Sequence, residues 1–80
     1  MTIVAFVMIT AEVGSEDELA RELRKLNNVT EVHPVYGAYD IVVKVEAETI
    51  DQLKEVISSI RKLDKIRSTL TMTAMEGTKS

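Results

Sequence analysis

Asp40 is the side chain in this sequence best placed to do chemistry. It closes the run Gly37-Ala38-Tyr39-Asp40 and is followed at once by Ile41-Val42-Val43-Lys44-Val45. A carboxylate at a loop-to-strand junction can be held by backbone and still face a ligand, where it accepts from an ammonium group. The plainer reading is a turn residue that bonds its own backbone. Tyr39 beside it reads first as a packing residue with its hydroxyl at the surface. Further on, Thr69, Thr71 and Thr73 alternate along Ile66-Arg67-Ser68-Thr69-Leu70-Thr71-Met72-Thr73. Threonine is favoured in strands for its shape alone. Together, though, one carboxylate and a row of hydroxyls suit an amino-acid zwitterion. The carboxylate would accept from the ligand ammonium, while hydroxyls and loop amides would hold the ligand carboxylate.

Other reactive residues are sparse. His33 is the single histidine, before Pro34, and reads as a partly exposed strand residue. Arg61, Lys62, Lys65 and Arg67 cluster at the end of a helix, where the dipole favours cations; a phosphate or acidic-partner site is the lesser reading. Glu46 and Glu48 lack the further ligands of a metal site. There is no cysteine, which removes disulfides and thiolate metal centres. No cofactor motif, P-loop, dinucleotide fingerprint or nucleophile–base pair is present, so no enzymatic activity is expected. With 10 basic and 13 acidic residues the net charge is −3, which argues against direct nucleic-acid binding. Phe6, Tyr36 and Tyr39 are the only aromatics, too few for base stacking. The apolar start lacks a basic region and is too short to cross a bilayer, so a soluble cytoplasmic protein is expected.

Eighty residues make one small domain over 1–75, with 76–80 as a polar tail expected to fray. A core this small leaves little stability margin, and without disulfides or metal, self-association is the remaining support. The run 2–12 is rich in Ile, Val, Phe and Met and predicts a buried strand. Ser15-Glu16-Asp17-Glu18 predicts a capping box opening a helix over 15–26, with Leu19, Leu23 and Leu26 as its apolar stripe. The run 29–36 predicts a strand that Pro34 assigns to an edge or bulge, and Gly37-Ala38 joins it as a hairpin to a strand over 39–47. Thr49-Ile50-Asp51-Gln52 predicts a second cap, followed by the stripe Ile50, Leu53, Val56, Ile57, Ile60 and Leu63; a last strand covers 66–75. The second cap follows the first by 34 residues, giving a two-unit pseudo-repeat. The order β-α-β-β-α-β predicts an α+β, ferredoxin-like fold: a four-stranded antiparallel sheet with two helices on one face.

The uncovered face then decides the biology. In the last strand Ile66, Ser68, Leu70 and Met72 are expected to face the helices, and Arg67, Thr69, Thr71 and Thr73 the open side. Ile41, Val43 and Val45 are expected in the core, with Asp40, Val42 and Lys44 on the threonine side. The first strand is apolar on both sides, so Val4, Phe6 and Met8 are expected to form an exposed patch that a second copy covers. Cross-strand threonines such as Thr73 suit the same interface.

Gly37-x-Tyr39-Asp40 leading into an apolar strand, with Ile66-x-x-Thr69-x-Thr71, resembles the effector-binding (RAM) domain of the Lrp/AsnC family of prokaryotic transcription regulators. The resemblance extends from the first strand to about Met75. It implies sheet-to-sheet dimers, assembly of dimers into larger rings, and an amino acid bound between dimers around the hairpin loop. Carried over, Tyr39 and Asp40 grip the ligand's amino end in a pocket that includes the Gly37 loop. Thr69 and Thr71 assist, and Val32, His33, Pro34 or Val35 of a neighbouring dimer close the pocket. The family's usual helix-turn-helix is not seen, so the expectation is a lone sensor that co-assembles with full-length relatives. Rival readings are an ACT-type regulatory domain, a small dimeric α+β-barrel monooxygenase using His33, and a structural oligomer without ligand.

Overall fold

A computed structural model describes residues 2–74. The elements are β1 (Ile3–Ala11), α1 (Glu16–Arg24), β2 (Val29–Pro34), β3 (Ile41–Ala47), α2 (Ile50–Arg61) and β4 (Ile66–Thr73). The strands form one antiparallel sheet in the order β2-β3-β1-β4. This is the ferredoxin-like arrangement. The last strand ends two residues before the expected limit, and the tail 76–80 lies outside the described residues.

Alternation along β1 and β3 builds the core. Ala5, Val7, Ile9 and Ala11 meet Ile41, Val43, Val45 and Ala47 on one side of the sheet, all at most 5% exposed. Leu19, Ala20 and Leu23 from α1 and Leu53, Val56 and Ile60 from α2 cover them. The period-two and helical patterns thus meet in a single apolar layer.

The two helix starts differ from one another. Thr49 is the expected cap: its hydroxyl accepts from the Gln52 N–H at 3.1 Å, and the Gln52 side chain accepts from the Glu48 N–H at 2.8 Å. Ser15 makes no side-chain cap. Its hydroxyl donates instead to the Glu12 carbonyl at 2.6 Å, and its ψ of 6° is outside the extended region a capping side chain needs. The β1–α1 turn has claimed the hydroxyl.

The facing of β4 is the main correction. Register sets Thr73 opposite Ala5, Thr71 opposite Val7 and Thr69 opposite Ile9, so all three threonines lie on the helix side. Leu70 opposes Met8 and Met72 opposes Phe6, which puts both on the open face at 47% and 45% exposed. Thr73 therefore does not share a face with Val4, Phe6 and Met8. Period-two alternation fixes two sets of residues without saying which set is inside, and an edge strand tolerates either. The Thr71 hydroxyl is buried without a hydrogen-bond partner. A register shift between Thr10 and Ala11 then pairs Ala11 with Ile66, leaving Arg67 as the extra residue of a β-bulge. The bulge returns Ile66 to the core layer, as expected for that residue alone.

Candidate functional site

Three elements converge at the end of the sheet where β1 stops, β3 starts and β4 starts. Asp40 is their pivot. Its N–H donates to the Ile9 carbonyl at 2.8 Å, and its own carbonyl accepts from the Val35 N–H at 2.9 Å, which closes the β2–β3 hairpin. Its Oδ2 accepts from the Ala11 N–H at 2.7 Å. The carboxylate thus satisfies the amide at the β1 end rather than its own turn. Oδ1 has no hydrogen bond among the described residues.

Two adjoining cavities open at this carboxylate. One of about 500 Å³ is lined by Thr10, Ala11, Val13, Glu16, Asp40, Arg67 and Ser68. The other, of about 350 Å³, is lined by Glu16, Asp17, Asp40 and the hairpin residues Pro34, Val35 and Tyr36. Asp40 and Glu16 belong to both. Arg67 and Asp40 line one cavity yet form no ion pair, with each other or with any described residue. Thr10 and Ser68 hydrogen-bond to one another at the cavity wall. Val13 and Tyr36, at the rim, are 93% and 106% exposed. Gly37 turns the hairpin tip at φ 133°, a backbone conformation side-chain-bearing residues avoid.

Of the residues singled out in the sequence, Asp40 and Val35 come together here, with Gly37 in the adjoining loop. Tyr39 is half-buried and lines neither cavity. Thr69 and Thr71 lie on the helix side of β4, away from both. Within one copy, then, the cavity hydroxyls come from Thr10 and Ser68. Thr10 and Ser68 were not singled out as ligand residues, alternation alone assigning Ser68 to the core, and Arg67 was singled out only within the basic cluster after α2. The register signal that brings Arg67 to the cavity is a bulge, which one strand's sequence does not display.

His33 is elsewhere. It opposes Val42 on the open face, and its Nε2 lies 2.8 Å from Glu31 Oε1, with Lys44 Nζ 3.5 Å from Oε2. The hydrogen bond from His33 and then that from Lys44 hold the Glu31 carboxyl below its ordinary range. A third cavity, about 430 Å³ between the end of α1 and α2, has Asn28, Gln52 and Ser59 in its lining, each side chain hydrogen-bonded within the chain. No group of side chains suited to a metal occurs among the described residues, and no described helix is long and apolar enough to cross a membrane.

Comparison with known proteins adds the lineage. The family profile described as Lrp/AsnC ligand binding domain matches residues 4–80. This chain belongs to that family. Relatives of different build match parts of this chain. The HTH-type transcriptional regulator FL11 of Pyrococcus furiosus is 28% identical over 74 residues, covering 92% of this chain and 49% of the regulator. Homocitrate synthase of Saccharolobus islandicus is 45% identical over 53 residues, which is 66% of this chain and 12% of the enzyme. The chain thus spans half or less of these relatives. Among solved structures, hypothetical protein PHS023 from Pyrococcus horikoshii superposes with a TM-score of 0.86 at 37% identity, covering 94% of this chain and 92% of that one.

Proposed function

We propose that this chain is a non-catalytic amino-acid-sensing and assembly module that adjusts transcription by co-assembling with full-length Lrp/AsnC regulators in the cytoplasm. The observation that supports it is the pairing of Asp40 and Arg67 across one cavity without mutual contact. An α-amino acid carries the two charges that would bridge such a gap, its ammonium on Asp40 Oδ1 and its carboxylate on Arg67. Thr10 and Ser68 add hydroxyls, and membership of a ligand-binding family supports the same reading.

Assembly enters through two surfaces. Val4, Phe6, Met8, Val42, Leu70 and Met72 make an apolar stripe on the open face that a second copy would cover. The exposed rim of Val13, Val35 and Tyr36 would pack against a neighbouring pair, bringing Val35 and His33 of another copy towards the site. Tyr39 and Thr69 would then act as second contributors from outside the single-copy cavity, whereas the Thr71 hydroxyl, buried on the helix side, would not reach a ligand. Because the Thr10–Ser68 rung is the next one after Met8–Leu70, the cavity wall is continuous with the open face. Ligand binding would favour whichever assembly presents that wall better.

The homocitrate synthase match favours a second reading, in which the partner is a metabolic enzyme rather than a DNA-binding protein. Calorimetric titration with each of the twenty amino acids tests the sensing claim common to both. Saturable binding by one or a few is expected; no heat with any would refute it. Native mass spectrometry of the chain mixed with a full-length regulator or with the enzyme separates the two, by which mixed oligomer forms.

A further inference from the structure

We propose that the outer edge of β4 is a docking strand for β4 of a second copy, joining two sheets side by side into one continuous sheet. This surface is distinct from the open face and from the cavities at Asp40. The strand order β2-β3-β1-β4 leaves two edges, and they are unlike. β2 is blunted against pairing: it carries Glu31, His33 and Pro34, its register shifts between Val29 and Glu31, and α1 packs along it. β4 has no such protection from Ser68 to Thr73, a run with neither charge nor proline.

The edge is also complementary to itself. The Ala74 N–H donates to the Val4 carbonyl at 2.8 Å, so alternation makes Met72, Leu70 and Ser68 the residues that bond β1. The N–H and C=O groups of Thr69, Thr71 and Thr73 therefore point away from the sheet. A second β4, antiparallel about a two-fold axis at Thr71, sets Thr71 against its own copy and Thr69 against Thr73. Every outward backbone group of the three threonines is then matched. Leu70 meets Met72 on the open face, and threonine meets threonine on the helix side. An axis at Leu70 or Met72 would leave Thr73 or Thr69 without a threonine partner. Arg67, the one charged residue of the strand, lies beyond the paired segment, so no like charges meet. Thr71 supplies the independent observation: its hydroxyl is buried and has no hydrogen-bond partner among the described residues. Rotation about χ1 exchanges hydroxyl and methyl and turns the hydroxyl towards its counterpart across the axis. The contact is small, so at micromolar protein it adds to pairing through the open face and does not replace it.

Thr71→Cys tests the pairing directly, since the chain has no other thiol. Across the axis the two Cα atoms would lie about 5.5 Å apart, within disulfide reach, against roughly 14 Å for Thr69→Cys. Mild oxidation should therefore cross-link Thr71→Cys at least about tenfold faster than Thr69→Cys, or than Thr30→Cys on the β2 edge. Residue 71 lies on the helix side, so two copies stacked by their open faces could not form this bond. Equal rates at the three positions would overturn the proposal. In the wild type, amide exchange at Thr69, Thr71 and Thr73 should slow at least about tenfold between micromolar and millimolar protein. Unprotected exchange at both concentrations would overturn it. So would protection that ignores concentration, which would give the edge to residues 75–80 of the same chain.

Discussion

Asp40 combines two roles on its two oxygens. Oδ2 satisfies the Ala11 amide, while Oδ1 has no hydrogen bond among the described residues in a side chain that lines both cavities. This separates charge from structure experimentally. Asp40→Asn keeps an acceptor for Ala11 and should leave the melting temperature nearly unchanged while abolishing amino-acid binding. Asp40→Ala strands the Ala11 N–H and should also cost about 1–3 kcal/mol of stability, read by urea denaturation. Equal loss of stability in both variants would contradict the division. The place of Asp40 at a loop-to-strand junction was legible from its position between a glycine loop and a β-branched strand. The proximity of Arg67 was not: in the sequence it belongs to a cationic run after α2, and it reaches the cavity as the extra residue of the bulge against Thr10 and Ala11.

At the scale of elements, the fold was legible and the facing of one strand was not. Leu19 and Leu23, or Leu53, Val56 and Ile60, have helical spacing that admits one buried side, and β3 alternates Ile41, Val43, Val45 against Val42 and Lys44. In β4 both alternating sets are amphiphilic: threonines on one side, Ser68, Leu70 and Met72 on the other. Local hydrophobicity gives Leu70 and Met72 to the core, but the pairing with β1 gives them to the open face. The residues that fill the helix side of an edge strand lie under thinner cover, so threonine suffices there. Both helix-to-strand turns place a residue in the left-handed region three positions beyond the C-cap: Asn28 after Lys25 at φ 73°, Lys65 after Lys62 at φ 77°. Asparagine suits that conformation, and its amide donates to the Glu46 carbonyl at 3.0 Å; lysine is strained there. Lys65→Asn should stabilise the domain by about 1 kcal/mol, raising the melting temperature by roughly 4–8 °C. A fall in melting temperature would show that the lysine is held by something other than its backbone.

The whole molecule is one-sided: helices on one face of the sheet, an apolar stripe open on the other. Val4, Phe6 and Met8 were legible as that stripe because β1 is apolar on both alternations; Leu70 and Met72 extend it and Thr73 leaves it. The Glu31–His33–Lys44 cluster borders the stripe with charge, which gives the face an apolar centre and a polar margin. Phe6→Glu would bury a charge at that centre and should convert the proposed dimer to monomer in sedimentation velocity at micromolar protein. An unchanged sedimentation coefficient would rule out the open face as the contact. The cavity wall at Thr10–Ser68 continues the stripe at Met8–Leu70, so ligand binding and assembly share one surface in the proposed function. The most direct test is sedimentation velocity of the wild type and Asp40→Asn, each with and without a saturating amino acid identified by calorimetry. The account predicts a shift in oligomer distribution for the wild type and none for Asp40→Asn. A bound amino acid that leaves the wild-type distribution unmoved would contradict it.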